Sequence, residues 1–174
     1  MRKVQTWKYG ALLVLSAALT ISATAQKVDL TGTWKLNLGE SFFGGEHPWP
    51  NYELTRMIDQ KAAEIRQADN SVHANIVNIP IPDSKLTTEY IADGKERKMT
   101  GPIPFPGVPA PEIWVSAEWQ GGTLLISEAN GARGATTTTH RYFLSEGGHQ
   151  LIELIEKHST SGDKEQRLVF DKRP

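Results

Sequence analysis

The sequence predicts an all-β protein: a single antiparallel up-and-down barrel of about eight to ten strands, following a cleavable leader. Three observations predict it. The stretch Leu30-Thr31-Gly32-Thr33-Trp34-Lys35-Leu36-Asn37-Leu38 alternates strictly, with Leu30, Gly32, Trp34, Leu36 and Leu38 on one face, as a half-buried strand requires. Further strand-length segments follow, separated by short clusters of Gly, Asn and Asp. No segment sustains the 3.6-residue apolar period of a long helix. Strands joined in order by tight turns favour a meander that closes on itself and so removes its edges; a two-layer sandwich is the competing arrangement.

Arg2, Lys3 and Lys8 precede the apolar run Ala11 to Leu19, and Ala23-Thr24-Ala25 supplies a small-x-small site. These are the three parts of a secretory signal peptide, with cleavage expected after Ala25. The run is shorter than the ~20 apolar residues of a membrane span, so residues 1–25 are read as signal peptide and 26–174 as one barrel domain. The mature part would hold 149 residues with 16 basic and 20 acidic side chains, a formal charge of −4. Such a chain lacks the basic footprint that nucleic acid or an anionic membrane would select. It contains no cysteine, so stability must come from burial, and no lipid-anchored cleavage site is available.

After the first strand, Phe42-Phe43-Gly44-Gly45-Glu46-His47-Pro48-Trp49-Pro50 cannot continue a ladder. It reads as an aromatic loop, either a lid over one end of the core or the rim of a binding mouth. Tyr52 to Gln60 and Ala63 to Ala68 resume the alternation, Gln60 to Gln67 having enough mixed character to hold a helical turn. Asp69-Asn70-Ser71 reads as a turn, and Val72 to Ile79 as an edge or connector closed by Pro80 and Pro82. Lys85 to Ala92 is the next strand; Asp93-Gly94 is a strong hairpin signal, with Lys95 to Met99 the returning partner. Gly101 to Pro111 holds five of the ten prolines and reads as an extended loop, which together with the aromatic loop could restrict entry at one end. Glu112 to Trp119, Thr123 to Glu128, Thr136 to Leu144, Gln150 to His158 and Glu165 to Asp171 complete the strands, with turns at Gly121-Gly122, Asn130 to Gly134, Glu146-Gly147-Gly148 and Ser161-Gly162-Asp163.

The Gly32-Thr33-Trp34 triplet on the first strand of a small exported β-meander resembles the first motif of the lipocalins and their lipocalin-like relatives. The longer Gly-Thr-Trp-Lys-Leu start resembles a group of uncharacterised bacterial secreted proteins. The resemblance covers the layout of most of the mature chain and is specific over its first strand; the lipocalin Thr-Asp-Tyr motif is missing. It implies that Trp34, following Gly32, packs across the closed end of a barrel, and that a basic residue near the last strand, for which Arg167 is the candidate, lies over it.

No catalytic constellation stands out. The sequence has no Gly-x-Ser-x-Gly elbow, cysteine nucleophile, phosphate-cradling loop or His-Glu-x-x-His helix, and neither an enzyme nor a cofactor is expected. His140, His149 and His158 recur at intervals of nine, on successive strands or turns; they read as surface residues rather than a metal site. Glu153 and Glu156, three apart, fall on opposite strand faces and make a poor acid-base pair, while Glu118 and Glu128 flank a hairpin and read as solvated. Arg56 shares a face with Leu54 and Ile58; if that face points inward, the guanidinium needs a carboxylate, from an internal Glu or from a ligand headgroup. Tyr52, Tyr90, Trp119, His140 and Tyr142 fall in phase with apolar neighbours and offer an apolar body with a polar tip, as pocket-lining residues do. Two functions follow. The first is an exported soluble barrel binding a small apolar or amphipathic ligand such as a lipid or fatty acid; the second is a filled barrel serving as a non-catalytic structural or interaction protein of the envelope.

Overall fold

The computed structural model describes residues 27–45, 52–72, 84–101, 109–130 and 136–174. The expected leader and the loop residues Trp49, Pro80 and Pro82 lie outside them. Ten strands run in order: β1 (Gly32–Leu36), β2 (Glu53–Lys61), β3 (Glu64–Val72), β4 (Ser84–Ile91), β5 (Arg97–Thr100), β6 (Glu112–Gln120), β7 (Thr123–Asn130), β8 (Thr136–Leu144), β9 (Gln150–Ser159) and β10 (Lys164–Arg173). They form one antiparallel sheet in the order β4-β3-β2-β1-β10-β9-β8-β7-β6-β5. The all-β up-and-down barrel is therefore present, and its seam is β1, which pairs with β2 on one side and β10 on the other.

The wall is incomplete at one place. β4 and β5 are the two ends of the sheet, and β5 pairs with β6, Arg97 opposite Val115. The expected Asp93-Gly94 hairpin is thus not formed. The Asp93 carboxylate instead accepts from the Lys95 backbone N–H and both outer nitrogens of Arg97, while the Gly94 N–H donates to the Ala117 carbonyl. Those bonds lead the chain away from β4, and Ala92 makes only a short parallel bridge to Ala117. The ladder from β3 to β4 ends where this step begins.

Two further local readings are corrected. Asp69-Asn70-Ser71 is not a turn: it extends β3, with Asp69 opposite Arg56 and Leu86, because an inward carboxylate there meets a guanidinium. The segment Gln60 to Gln67 holds no helical turn but a tight reversal at Ala62, whose φ is 54°, and Ala63.

The inward faces follow the expected alternation, and the apolar filling concentrates at one end. Trp34 is fully buried, its indole N–H donating to the Leu30 carbonyl at 3.0 Å. The segment before β1 crosses beneath it: Gln60 accepts from the Leu30 N–H and donates to the Val28 carbonyl, and Val28 reaches Gly122 in the β6–β7 turn. Trp34 and this crossing segment together floor one end of the sheet. The basic residue over the ring is Lys172, whose Nζ lies 5.1 Å from it. Arg167, the expected candidate, is one strand face away and at the other end of β10, where it donates to the Glu40 carbonyl and bridges Phe42. The register Trp34 opposite Lys172 decides the matter.

Topology puts the connections β1–β2, β3–β4, β5–β6, β7–β8 and β9–β10 at the opposite end. Both the aromatic and the proline-rich loop thus join strands at the same rim. Within the first of these, Phe42 is exposed while Phe43 packs against the core, and Ser41 accepts from the Val169 N–H at 3.0 Å.

Candidate functional site

Above the apolar floor the barrel interior turns polar. Arg56 on β2, in phase with buried Leu54 and Ile58, does point inward and is 5% exposed. Its carboxylate partners come from the protein itself. Nε and Nη2 donate to the two oxygens of Asp69 at 2.8 Å each, and Nη1 donates to Glu153 at 2.7 Å. The guanidinium carbon also lies 4.7 Å from the Phe170 ring centre and 5.6 Å from that of Tyr142, an arrangement suited to its planar, weakly hydrated charge.

Glu153, 1% exposed, is the hub. One oxygen takes the Arg56 bond, and the other meets His140 Nδ1 at 2.8 Å and accepts from the Tyr142 hydroxyl at 2.7 Å. Burial pushes the Glu153 carboxyl up, but Arg56, His140 and Tyr142 outweigh it and hold the group well below the usual carboxylate range. For His140, burial works against the charged form, yet the Glu153 bond and charge prevail and raise it. Burial raises the phenols of Tyr142, Tyr90 and Tyr52.

Beside this network lies a half-open cavity of about 600 Å³, within the ~300–1,000 Å³ of small-molecule pockets. Its polar side is formed by Arg56, Asp69, Glu128, His140, Tyr142 and Glu153, and its apolar side by Leu86, Met99, Ile113 and Val115, with Tyr90 between. Thr88 on β4 and Met99 and Thr100 on β5 border it as well, so it reaches the break in the wall. A second, charged groove of about 470 Å³ also lies at that break, lined by Glu64, Arg66 and Arg97 together with buried Ile65 and Ala117, and sharing Glu89, Tyr90, Met99 and Val115 with the cavity.

Of the expected lining residues, Arg56, Tyr90, His140 and Tyr142 come together around this cavity. Tyr52 packs against the core near Arg56 and Asp69 without lining it. Trp119 does not reach it: one residue from the β6–β7 turn, it packs into the floor, its buried indole N–H without an acceptor among the described residues. The three histidines do not converge. His140 is inside, His149 is in the β8–β9 turn, and His158 is at the other end of β9 beside Asp163 at 3.1 Å.

Sequence reasoning missed three acids. Glu153 was legible as the middle of Leu151, Glu153, Ile155, but the neighbouring Ile152 and Leu154 offer an equally apolar opposite face. Glu128, read as solvated, is in phase with buried Leu124 and Ile126 and turns into the cavity. Asp69 was concealed by its turn-like neighbours.

No family model matches the chain, and no curated protein matches its sequence. Solved structures do resemble it. The zebrafish ileal bile acid-binding protein, solved with cholic acid, is 17% identical and matches with a TM-score of 0.52 over 82% of this chain and 98% of its own. A secretory abundant heat soluble protein of Ramazzottius varieornatus matches at 12% identity and a TM-score of 0.55, over 83% and 95% of the two chains. Lipid binding protein 8 of Caenorhabditis elegans, in its apo form, matches at 12% and 0.51, over 82% and 94%. At these identities the likeness is one of fold: the chain shares the barrel architecture of proteins that include bile acid- and lipid-binding ones.

Proposed function

We propose that this chain is an exported, soluble binding protein that holds one small amphipathic molecule, a lipid in the broad sense that includes fatty acids, inside its barrel. The observation that carries the reading is the half-open cavity of about 600 Å³ with an apolar wall facing a hydrogen-bonded polar cluster. A ligand with one greasy and one polar end would satisfy both sides at once. The fold likeness to bile acid- and lipid-binding barrels supports it. The alternative, a filled barrel acting as an envelope interaction protein, accounts for the packed floor but leaves a cavity of this size without a role.

Export rests on the three-part leader. Cleavage after Ala25 would leave intact the Val28 to Leu30 segment that closes the floor. The Gly-Thr-Trp-Lys-Leu start, with Trp34 on that floor, further supports kinship with the bacterial secreted lipocalin-like group.

The test uses mature protein and a neutral environment-sensitive dye, Nile red, together with native mass spectrometry of protein purified from its own host. Saturable dye uptake at one site, or a co-purified small molecule in the spectrum, is the expected result. A protein that takes up no dye and carries no adduct would leave the filled-barrel alternative standing.

A further inference from the structure

We propose that the polar end of the molecule held in this cavity is a cation, such as a primary ammonium, paired with Glu128, and not a free carboxylate. The inference rests on the binding-protein reading and narrows it.

The guanidinium of Arg56 is the obvious receiver for an acidic headgroup. Arg56 is already engaged on its edge by both oxygens of Asp69 and by Glu153, with the Phe170 and Tyr142 rings close to its central carbon. An incoming carboxylate would have to displace one of these acids, stranding a buried charge that is costly without its partner. Glu153 is equally spent, its oxygens meeting Arg56, His140 and Tyr142. Among the described residues lining the cavity, Glu89 is ion-paired to Arg66 at 3.7 Å, and the remaining charged groups are Arg56 and His140 against Asp69, Glu128 and Glu153. That is a net charge of −2 with His140 neutral and −1 with it protonated.

Glu128 is the acid left over. It sits two residues beyond Ile126 on the same face of β7, opposite Val115 and Thr138, and among the described residues it has no hydrogen bond or ion pair. Its charge is felt by Tyr90 and His140, which places it over the cavity rather than in bulk solvent. Leu86, Met99, Ile113 and Val115, the last directly beside Glu128 across the β6–β7 ladder, line the same cavity and provide a bed for an alkyl chain. A cationic amphiphile would neutralise Glu128 while its chain covers that bed; an anionic one would meet unrelieved negative charge.

The probes are dodecylamine, 1-dodecanol and dodecanoate, equal in chain length, competing for Nile red on the mature protein at neutral pH. The expected order is amine, alcohol, carboxylate, with the amine at least tenfold tighter than the carboxylate. Glu128→Gln should remove the amine's advantage over the alcohol, and an unchanged thermal unfolding midpoint reports that the variant is folded. Glu146→Gln, which removes the same charge from the exposed β8–β9 turn, should leave the order intact. Dodecanoate binding as well as the amine, or an amine preference equally reduced by both variants, would overturn the assignment and leave the binding-protein reading in place. Failure of the dye and of all three probes would overturn that reading together with this one.

Discussion

Replacing Glu153 by leucine, Arg56 by methionine, and then both together tests whether the interior polar cluster is one electrostatic unit. Both side chains are almost wholly buried, at 1% and 5% exposure, so neither can fall back on water. Breaking such a pair costs about 3–5 kcal/mol, because one charge is left behind, whereas exchanging the whole pair for apolar groups is often close to neutral. Glu153→Leu should lie at about 3 kcal/mol, the low end of that range, since Asp69 still neutralises Arg56 with two bonds. Arg56→Met should cost about 4 kcal/mol, since Glu153 and Asp69 lose the cation between them. The double variant leaves Asp69, whose side chain is 18% exposed and still accepts from Gln67, together with His140 and Tyr142, which border the cavity and can take water in place of Glu153, and should lie within about 2 kcal/mol of the parent. The coupling is then about 5 kcal/mol, inside the range seen for close charge pairs. Urea unfolding followed by tryptophan fluorescence reads this directly. With a slope of about 2 kcal/mol per molar, each single change lowers the midpoint by roughly 1.5–2 M and the double change by about 1 M or less. A double variant that unfolds at the sum of the two single shifts would refute the reasoning.

Other expectations concern the floor, the first loop and pH. Lys172→Met should lower stability by about 0.5–1 kcal/mol through loss of the cation over Trp34 and alter the Trp34 emission, while Arg167→Met leaves that emission unchanged; emission spectra of the two variants separate the assignments. Gly44→Ala should destabilise the loop folded against β10: Gly44 has φ +66°, and a Cβ there would meet the Glu165 carbonyl oxygen at 2.6 Å. Thermal unfolding should show a lower midpoint for that variant and none for Gly45→Ser, where a Cβ meets nothing within 4 Å, beyond the strain of its own positive φ. Stability should fall on both sides of a plateau. Glu153 is held below its ordinary value of 4.5, so its contribution is complete above that pH and lost as the pH falls through its folded value. His140 is raised above 6.5, so its contribution is complete below that pH and lost as the pH rises through its folded value. Urea midpoints across pH should show both limbs, with Glu153→Gln flattening the acid one and His140→Gln the alkaline one.

What the sequence determined by itself was everything that a period of two can carry. The strand at Gly32–Leu36, the hairpin across Gly121-Gly122, the strands around Tyr142 and Phe170, and the burial of Trp34 are all consequences of alternation and turn chemistry within a few residues. Even the inward direction of Arg56 was legible, since Leu54 and Ile58 flank it in phase. What Arg56 would meet was not. Asp69 and Glu153 stand 13 and 97 residues away from it, and their meeting depends on sheet order and register, which no local pattern specifies. The same holds for Lys172 in place of Arg167, a question of which residue of β10 lies opposite Trp34 across β1. It holds also for the break beside β4, where the Asp93 turn looks like a hairpin until its hydrogen bonds to Arg97 and Ala117 carry the chain past it. Local preferences act over one strand or turn; charge pairing and cavity shape arise only when strands distant in the chain are brought within a few ångströms, and there the tertiary structure alone decides.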